Sequence, residues 1–226
     1  MAHPKLSSIV RFAQTFGVLA RRSVLVGVLF LGILTGTALA DAPTALFNGT
    51  SLEGWQGSHD IFRVEEGAIV GGSLNHAIAR NEFLSTEDTY EDFELELEVK
   101  LLGDGANAGI QFRTERIPNH HEVIGYQADM GEAYWGKLYD ESRRNRILAG
   151  PGPEVDMSKV LRVNDWNTYK IRCEGPRIRQ WLNGTLTVDY TETDANIPRK
   201  GVIAVQIHSG PPSEAWYRNI RLTKLP

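Results

Sequence analysis

The chain has 226 residues, of which 28 are acidic and 24 are basic, and it contains one cysteine, Cys173. A net charge of −4 without a block of Lys and Arg argues against nucleic-acid binding, and a lone cysteine excludes an internal disulfide. The length is sufficient for one domain with a substantial hydrophobic core.

The first 40 residues have the composition of an export signal. They contain four basic residues and no acidic residue, then an apolar run from Val24 to Leu34, then Ala38-Leu39-Ala40. This order is typical of a signal peptide cleaved after a small residue, so we expect cleavage after Ala40. Residues 41–226 then form one exported domain, periplasmic or extracellular, with 20 basic and 28 acidic residues.

Two features of the leader leave alternatives open. The uncharged run from Ser23 to Ala40 approaches the length of a membrane span, which would make the segment a retained anchor. Arg21-Arg22 is compatible with twin-arginine export as well as with the general secretory route. If cleavage occurs, we expect no membrane association of the mature chain.

Strand patterns dominate the rest of the chain. Phe93–Leu101 alternates apolar and polar residues without interruption, which predicts a strand with one solvated face. Ala108–Arg113 follows after Gly103-Asp104-Gly105, and we expect the two strands to pair as an antiparallel hairpin. The other predicted strands are Ile61–Val64, Ala68–Val70, Tyr126–Met130, Lys137–Asp140, Asn167–Glu174, Arg177–Leu182, Thr185–Tyr190, Gly201–Ser209 and Trp216–Leu222.

Turn residues separate these strands at short, regular intervals. Asn183-Gly184 is the dipeptide favoured in a two-residue hairpin turn, and Gly175-Pro176 also joins two strands. After the leader, no segment longer than about ten residues shows a helical period. The pattern predicts an all-β sandwich or barrel, with two packed antiparallel sheets favoured.

Five sequence blocks, in order along residues 41–226, resemble the 3-keto-disaccharide hydrolase family. The blocks are Leu46–Trp55, Asn107–Arg113, Gly125–Gly131, Trp181–Gly184 and Trp216–Leu222. The resemblance implies a two-sheet antiparallel jelly-roll β-sandwich of the concanavalin-like lectin/glucanase type. It also implies an enzyme that cleaves glycosides or disaccharides whose sugar carries a ketone at C3. Because the same fold serves as a carbohydrate-binding module, a non-catalytic, lectin-like role is the alternative.

A ketone at C3 determines which chemistry the site must supply. It acidifies the proton on C2, so the C1 substituent can leave by elimination, after which water can add. Such a site needs a base near C2, hydrogen-bond donors near the enolate oxygen and an acid near the leaving oxygen. The substrate is a small-molecule carbohydrate, and an upstream sugar 3-dehydrogenase would supply its ketone.

The stretch from Gly125 to Ser142 has the highest density of chemically active side chains, and we expect it to form one wall of a cleft. Strands that carry Gln111 and Gln206 would provide the opposite walls. The candidates for catalysis are Glu122, Asp129 and His208, and which of them takes the proton is left open. The candidates for substrate binding are Gln111, Arg113, Gln127, Trp135, Lys137, Tyr139 and Gln206.

Several of these residues have a structural alternative. Arg113 could clamp sugar hydroxyls or form a surface salt bridge, and Lys137 is better suited to an electrostatic contact than to proton transfer. A lone histidine such as His208 is more often structural than catalytic, although its pKa suits proton transfer. The run Glu94-x-Glu96-x-Glu98 imitates a glucanase catalytic strand, but its perfect alternation favours a solvated face.

The sequence assigns no cofactor, and a divalent metal is left open. His120-His121-Glu122 offers metal-ligating side chains, but neighbouring residues in a loop point in divergent directions. No loop has the pattern of a calcium site.

Overall fold

The computed structural model describes residues 42–226, so the predicted signal peptide, residues 1–40, lies outside the described residues. No helix in this part of the chain is long and apolar enough to cross a membrane. The elements in chain order are β1 (Thr44–Ala45), β2 (Trp55–Gln56), β3 (Phe62–Glu65), β4 (Ala68–Ser73), β5 (Glu82–Thr86), β6 (Phe93–Leu102), β7 (Asn107–Arg116), β8 (Val123–Gly131), β9 (Leu138–Glu141), β10 (Arg146–Ala149), α1 (Met157–Val160), β11 (Asn167–Glu174), β12 (Arg177–Leu182), β13 (Thr185–Thr191), β14 (Val202–Ile207) and β15 (Ser213–Lys224).

The strands form two antiparallel sheets, which confirms the predicted all-β sandwich. The back sheet has the order β13-β12-β11-β6-β15-β4-β3, with β1 also paired to β15. The front sheet has the order β10-β9-β8-β7-β14-β5-β2. Alternate residues of both sheets, such as Leu95 and Leu97 of β6 and Ile110 and Phe112 of β7, are buried in one hydrophobic cluster between them. The period of two therefore places one face of each strand in the core and leaves the other face outside.

Two tyrosines of the back sheet cross the core and bind the backbone of the front sheet. The Tyr169 hydroxyl donates to the carbonyl of Asp129 at 2.6 Å and accepts from the amide of Gly136 at 2.8 Å. The Tyr217 hydroxyl donates to the carbonyl of Gln206 at 2.6 Å. Both tyrosines are fully buried, so these hydrogen bonds connect the two sheets inside the core.

The expected pairing of β6 with β7 is wrong. Strand β6 lies between β11 and β15 in the back sheet, whereas β7 lies between β8 and β14 in the front sheet. The segment 103–105 crosses from one sheet to the other, and Gly103 and Gly105 adopt positive φ angles of 108° and 68° there. Alternation shows which face of a strand is buried, but it does not show which strand lies beside it.

The acidic face of β6 lies on the outer surface of the back sheet, as predicted. Glu94 contacts Lys170 at 2.7 Å, Glu98 contacts Arg218 at 2.5 Å, and the side chain of Glu96 is 54% exposed. Because these carboxylates face solvent and pair with basic residues on neighbouring strands, they form a solvated ion-pair surface.

The predicted Asn183-Gly184 hairpin is present between β12 and β13. Asn183 and Gly184 have φ angles of 48° and 81°, the positive values that this tight turn requires. The Asn183 side chain donates to the carbonyl of Val160 at 2.7 Å and to Asn167 at 2.7 Å, which anchors the turn to the preceding loop. The asparagine therefore has a structural role in the hairpin.

Candidate functional site

A cavity of about 130 Å³ opens on the outer face of the front sheet. Its lining residues are Asn107, Gln127, Asp129, Tyr134, Tyr139, Glu141 and His208. Four of these, Gln127, Asp129, Tyr139 and His208, are site residues predicted from the sequence, and the structure brings them together. Their roles in binding or catalysis stay predictions.

The strand register explains why the polar residues meet. On β8, Gln127 and Asp129 point away from the core because Tyr126, Ala128 and Met130 occupy the inner face. Gln127 pairs with Tyr139 on β9, and its other neighbour is Gln111 on β7. The outer face of three adjacent strands thus carries a row of polar side chains across the sheet.

A glycine makes room for the central glutamine. Gly109 of β7 pairs with Asp129 of β8, and a Cβ at Gly109 would lie 2.4 Å from Cδ of Gln127. The Gln127 side chain therefore lies across the bare backbone of Gly109. A larger residue at this position would displace the amide.

Four buried side chains form a continuous hydrogen-bond chain that ends at Asp129. The Thr114 hydroxyl lies 3.1 Å from Oε1 of Gln111, and Nε2 of Gln111 donates to Oε1 of Gln127. Nε2 of Gln127 in turn donates to Oδ1 of Asp129. Each of the four residues is at most 3% exposed, so water does not compete for these hydrogen bonds.

The environment of Asp129 raises its pKa to about 7. Burial is the main cause, because it disfavours the charged carboxylate, and the charge of Glu141 acts in the same direction. The hydrogen bond from Gln127 and the positive charge of Lys137 act in the opposite direction, since both favour the carboxylate. Asp129 therefore changes protonation near neutral pH.

Glu141 has a similar pKa for partly different reasons. Burial raises the pKa of its carboxyl to about 7, and the charges of Glu122 and Asp140 raise it further. The amide of Ser142 and the side chain of Gln206, at 3.4 Å, favour the charged form. The nearest charged neighbours of Glu141 thus favour its neutral form, whereas Asp129 has the positive charge of Lys137 nearby.

The imidazole of His208 has a defined tautomer. Its Nδ1 lies 2.7 Å from the carbonyl oxygen of Ser209. Because a carbonyl can only accept, Nδ1 carries the proton, and Nε2 of the neutral ring is an acceptor. No described residue forms a hydrogen bond with Nε2. His208 therefore brings an unoccupied basic nitrogen to the cavity.

Two buried amide oxygens near the cavity lack partners. Oδ1 of Asn107 and Oε1 of Gln206 form no hydrogen bond with any described residue, and Gln206 is fully buried. A buried acceptor without a donor costs free energy, so Oδ1 of Asn107, which lies in the cavity lining, favours a ligand that brings donors. Sugar hydroxyl groups are donors of this kind.

The structure does not place Arg113 in the cavity. A β-bulge between Phe112 and Glu115 interrupts the alternation, and Arg113 has a φ angle of 48°. Its guanidinium contacts Asp92 at 2.7 Å and the carbonyl of Gly175 at 2.8 Å, and its side chain is 1% exposed. The expectation that Arg113 would share the outer face with Gln111 is therefore wrong.

Trp135 is also absent from the cavity lining. Its ring stacks on Tyr169 with a centroid distance of 6.2 Å and an interplanar angle of 11°, and it packs against the core. Its neighbour Tyr134, which is 40% exposed, lines the cavity instead. The sequence predicted that Trp135 lines the site, but the structure places Tyr134 there instead.

The remaining predicted residues lie beside the cavity. Gln111 and Gln206 are fully buried and act through Gln127 and Glu141, respectively. The carbon chain of Lys137 packs 3.1 Å from the Cβ position of Gly150. These residues shape the site without lining it.

Glu122 lies outside the cavity lining as well. Its carboxylate is 3.4 Å from the hydroxyl of Ser142, and it affects the site through its charge on Glu141. Three residues that line the cavity, Asn107, Tyr134 and Glu141, are not among the catalytic and binding candidates assigned from the sequence. Asn107 lies two steps of the alternation from Gln111 on β7, and Glu141 lies one step from Tyr139 on β9, so a longer alternation would have included both.

The adjacent histidines form no metal site among residues 42–226. His120 and His121 stack with a centroid distance of 4.5 Å, and Nδ1 of His121 donates to the carbonyl of Asn81 at 3.0 Å. Within the described range, no group of three or more His, Cys, Asp or Glu side chains is arranged to hold a metal ion.

A larger cavity of about 670 Å³ lies on the outer face of the back sheet, beside Trp181. Its acidic residues Glu94 and Glu96 are paired with Lys170, whereas burial raises the pKa of both Asp129 and Glu141 in the front-sheet cavity to about 7. The smaller front-sheet cavity is therefore the better candidate for catalysis.

Residues 42–223 match a family described as the 3-keto-alpha-glucoside-1,2-lyase-like domain. The chain belongs to this family. The match confirms the resemblance inferred from the five sequence blocks, and it indicates a carbohydrate-active domain. The family assignment covers the entire front sheet and therefore includes the cavity.

Solved structures with low sequence identity share the fold of this lyase-like domain. A protein of Parabacteroides distasonis ATCC 8503 assigned as a glycosyl hydrolase is 18% identical, with 81% of this chain and 94% of that chain covered and a TM-score of 0.63. The carbohydrate-binding module CBM66 of Bacillus subtilis is 17% identical, with coverages of 74% and 93% and a TM-score of 0.56. The β-glucanase of Bacillus licheniformis is 13% identical, with coverages of 84% and 100% and a TM-score of 0.54. These similarities confirm the predicted jelly roll.

One curated protein also has a short similarity to the chain. The translocase subunit SecA 1 of Chlorobium chlorochromatii (strain CaD3) is 29% identical over 80 residues, which is 35% of this chain. The chain spans only 8% of the length of that protein, and this overlap supports no transfer of activity.

Proposed function

We propose that the protein cleaves glycosides or disaccharides whose sugar carries a ketone at C3, by removing the C2 proton and eliminating the C1 substituent. The observation that carries this proposal is the presence of two buried carboxyls, Asp129 and Glu141, in one cavity, each with a pKa of about 7. One such group can be ionised while the other is protonated at neutral pH, as acid–base catalysis of an elimination requires.

The surroundings of the two carboxyls support a division of roles. Asp129 is assigned as the base, because Gln127 and Lys137 favour its ionised form. Glu141 is assigned as the acid that protonates the leaving oxygen, because the charge of Glu122 favours its neutral form. Burial raises the pKa of both carboxyls to about 7, so one can act as a base and the other as an acid in the same pH range.

A third group stabilises the charge that develops on the ketone oxygen. Burial and the charges of Glu141 and Asp129 raise the pKa of Tyr139, so its hydroxyl stays protonated. A protonated hydroxyl in the cavity can donate to the enolate oxygen. If water then adds to the resulting double bond, the net reaction is a hydrolysis. If the unsaturated sugar is released without water addition, the reaction is that of a lyase.

His208 is the competing candidate for the base, because its Nε2 is unoccupied and basic. If Asp129 is the base, Nε2 of His208 instead accepts a hydrogen bond from a substrate hydroxyl. Substitution separates these roles, since loss of the base affects kcat more strongly than loss of a hydroxyl contact.

The test compares cleavage of a 3-keto disaccharide with cleavage of the same disaccharide before oxidation. We expect turnover of the oxidised sugar only, and we expect Asp129→Asn to lower kcat by about 10²- to 10⁴-fold. Glu141→Gln should affect substrates with poor leaving groups most, and His208→Gln should mainly raise KM. Glu94→Gln, on the outer face of the back sheet, is the matched control and should leave both constants unchanged. Equal activity of wild type and Asp129→Asn would refute the assignment of the base.

A carbohydrate-binding module is the second candidate function. The unpartnered acceptor of Asn107 in the cavity lining favours hydroxyl-bearing ligands, and CBM66 shares the fold. Binding of the 3-keto disaccharide in calorimetry without cleavage, over a range of pH and with added divalent metals, would support this function over the lyase.

The proposed reaction also places the protein after an oxidation. Because the proposed substrate already carries a ketone at C3, a sugar 3-dehydrogenase would supply it. We further propose that both reactions take place outside the cytoplasm, on the basis of the leader in residues 1–40. N-terminal sequencing of the exported protein tests cleavage after Ala40.

A further inference from the structure

The hydrogen-bond chain that ends at Asp129 has a fixed direction. Each glutamine accepts at Oε1 on one side and donates from Nε2 on the other, so the donors of Gln111 and Gln127 both point toward the carboxyl. The reversed orientation of Gln127 would bring its Oε1 against Oδ1 of an ionised Asp129, which is repulsive. The direction of the chain and the ionised state of Asp129 therefore support each other.

Packing leaves the last glutamine little freedom. Gln127 is 2% exposed and lies across Gly109, where a Cβ would be 2.4 Å from its Cδ. At the start of the chain, a Cβ at Gly125 would lie 2.3 Å from the hydroxyl oxygen of Thr114. Two bare backbone positions, Gly109 and Gly125, thus leave room for the side chains of Gln127 and Thr114.

The two oxygens of Asp129 have different surroundings. Oδ1 accepts from Gln127, and no described residue donates to Oδ2. Asp129 lines the cavity, so the free oxygen is the one that can meet a ligand. We infer that Gln127 is a positioning residue that reserves Oδ2 of Asp129 for the substrate proton by keeping Oδ1 occupied as an acceptor.

This inference rests on the proposed function, in which Asp129 is the base. In the reaction, the C–H bond at C2 breaks, its electron pair forms the enolate, and the proton binds Oδ2. Because Oδ1 faces the amide of Gln127, Oδ2 is the oxygen left open to the new proton. Glu141 has different partners, the backbone amide of Ser142 and Nε2 of Gln206, which is 3.4 Å from its carboxylate.

The test is the pH profile of kcat/KM for Gln127→Met, which keeps the side-chain volume and removes the donor. Loss of a hydrogen bond to the charged form raises the pKa of Asp129, so the acidic limb should move to higher pH by about one unit. At pH 6 kcat/KM should then fall about tenfold more than at pH 9, with the loss in kcat. Gln111→Met, which does not contact Asp129, should give a smaller shift in the same direction.

Gln180→Met is the matched control. Gln180 is a fully buried amide that faces the core from β12 in the back sheet. Its substitution should leave the pH profile unchanged. An unshifted acidic limb in Gln127→Met would overturn the inference. If that variant does not fold, Gln111→Met decides by the same criterion.

A second readout separates failure of this inference from failure of the proposed function. Titration of the Asp129 carboxyl by ¹³C NMR requires no substrate, and Gln127→Met should raise its pKa relative to the wild type. A raised pKa in a protein without 3-keto cleavage would refute the lyase assignment and keep the positioning role. Cleavage by the wild type together with an unchanged Asp129 titration in the variant would refute the positioning role alone.

Discussion

Asp129 shows at the scale of one residue how a buried carboxyl opposes stability. An aspartate in an unfolded chain titrates near 3.8, whereas burial raises the pKa of Asp129 to about 7. Below pH 3.8 both states are protonated and the group has no effect. Between pH 3.8 and pH 7 the unfolded chain releases its proton while the folded protein keeps it, so the folded state loses stability over this range. The loss is complete above pH 7, where the folded protein holds a buried charge.

Replacing this carboxyl should therefore stabilise the protein at alkaline pH. We expect Asp129→Asn to raise the free energy of unfolding at pH 9 by about 2 kcal/mol or more, because each pKa unit corresponds to about 1.4 kcal/mol. At pH 4 the difference from the wild type should be small. Urea unfolding at the two pH values measures the difference in the free energy of unfolding. Asp104→Asn, at an exposed position, is the control. A stabilisation that does not depend on pH would contradict the raised pKa.

At the scale of elements, an ion-pair network joins three strands at the end of the sandwich. Glu192 follows β13 and accepts from the hydroxyl of Tyr126 on β8 at 2.7 Å and from Arg144, beyond β9, at 2.7 Å. Arg144 also contacts the fully buried Asp140. Burial alone would raise the pKa of Glu192, but its hydrogen bonds, that from Arg144 first among them, lower the pKa to about 2.

This network should contribute stability that disappears in acid. We expect Glu192→Gln to lower the free energy of unfolding by about 1–3 kcal/mol at pH 7. Because the pKa is depressed from 4.5, the contribution is complete above pH 4.5 and declines as the pH falls toward 2. Thermal unfolding at pH 7 and pH 3 checks this, and the two proteins should differ less at pH 3. Glu96→Gln, on the exposed face of the back sheet, should change stability by less than about 0.5 kcal/mol.

The strands themselves were easier to predict than which strands lie side by side. The faultless alternation of Phe93–Leu101 defined β6, because apolar and charged residues there face different environments. The same pattern contained no information about pairing, so β6 was placed beside β7 instead of in the opposite sheet. The short strand β5 was missed, because all five of its residues, from Glu82 to Thr86, are buried and no alternation marks it.

The site was predictable to the extent that its residues follow the strand period. Gln127 and Asp129 on β8 lie where alternation placed them. Arg113 does not, because a bulge reverses the direction of its side chain and its guanidinium binds the carboxylate of Asp92. A bulge depends on contacts with distant segments, here Asp92 and Gly175, and these contacts leave no local pattern in the sequence.

At the scale of the whole molecule, the site depends on the sheet that does not contain it. The Tyr169 hydroxyl of the back sheet binds the backbone on both sides of the turn that follows Asp129. Loss of this hydroxyl would leave the buried amide of Gly136 without its acceptor.

We therefore expect Tyr169→Phe to lower the free energy of unfolding by about 1–3 kcal/mol and to reduce kcat. Chemical unfolding and single-turnover cleavage of the 3-keto disaccharide measure the two effects. Tyr90→Phe is the control, because Tyr90 is buried but its hydroxyl binds no described residue. It should change both quantities little. Full stability of Tyr169→Phe would show that water replaces the tyrosine as the partner of Gly136.

The order of strands has a consequence for how the chain acquires its structure. Strand β14 lies between β7 and β5 in the front sheet, and β15 lies between β6 and β4 in the back sheet. The last two strands in sequence are thus interior strands of both sheets, and β15 joins partners more than a hundred residues earlier in the chain. Pairings between distant segments form slowly, and a ribosome-bound chain lacks them until its final strands emerge. The front sheet cannot close before residue 207 is synthesised, and the back sheet cannot close before residue 224. A polypeptide still under synthesis therefore stays incompletely folded and accessible to the factors that bind unfolded chains.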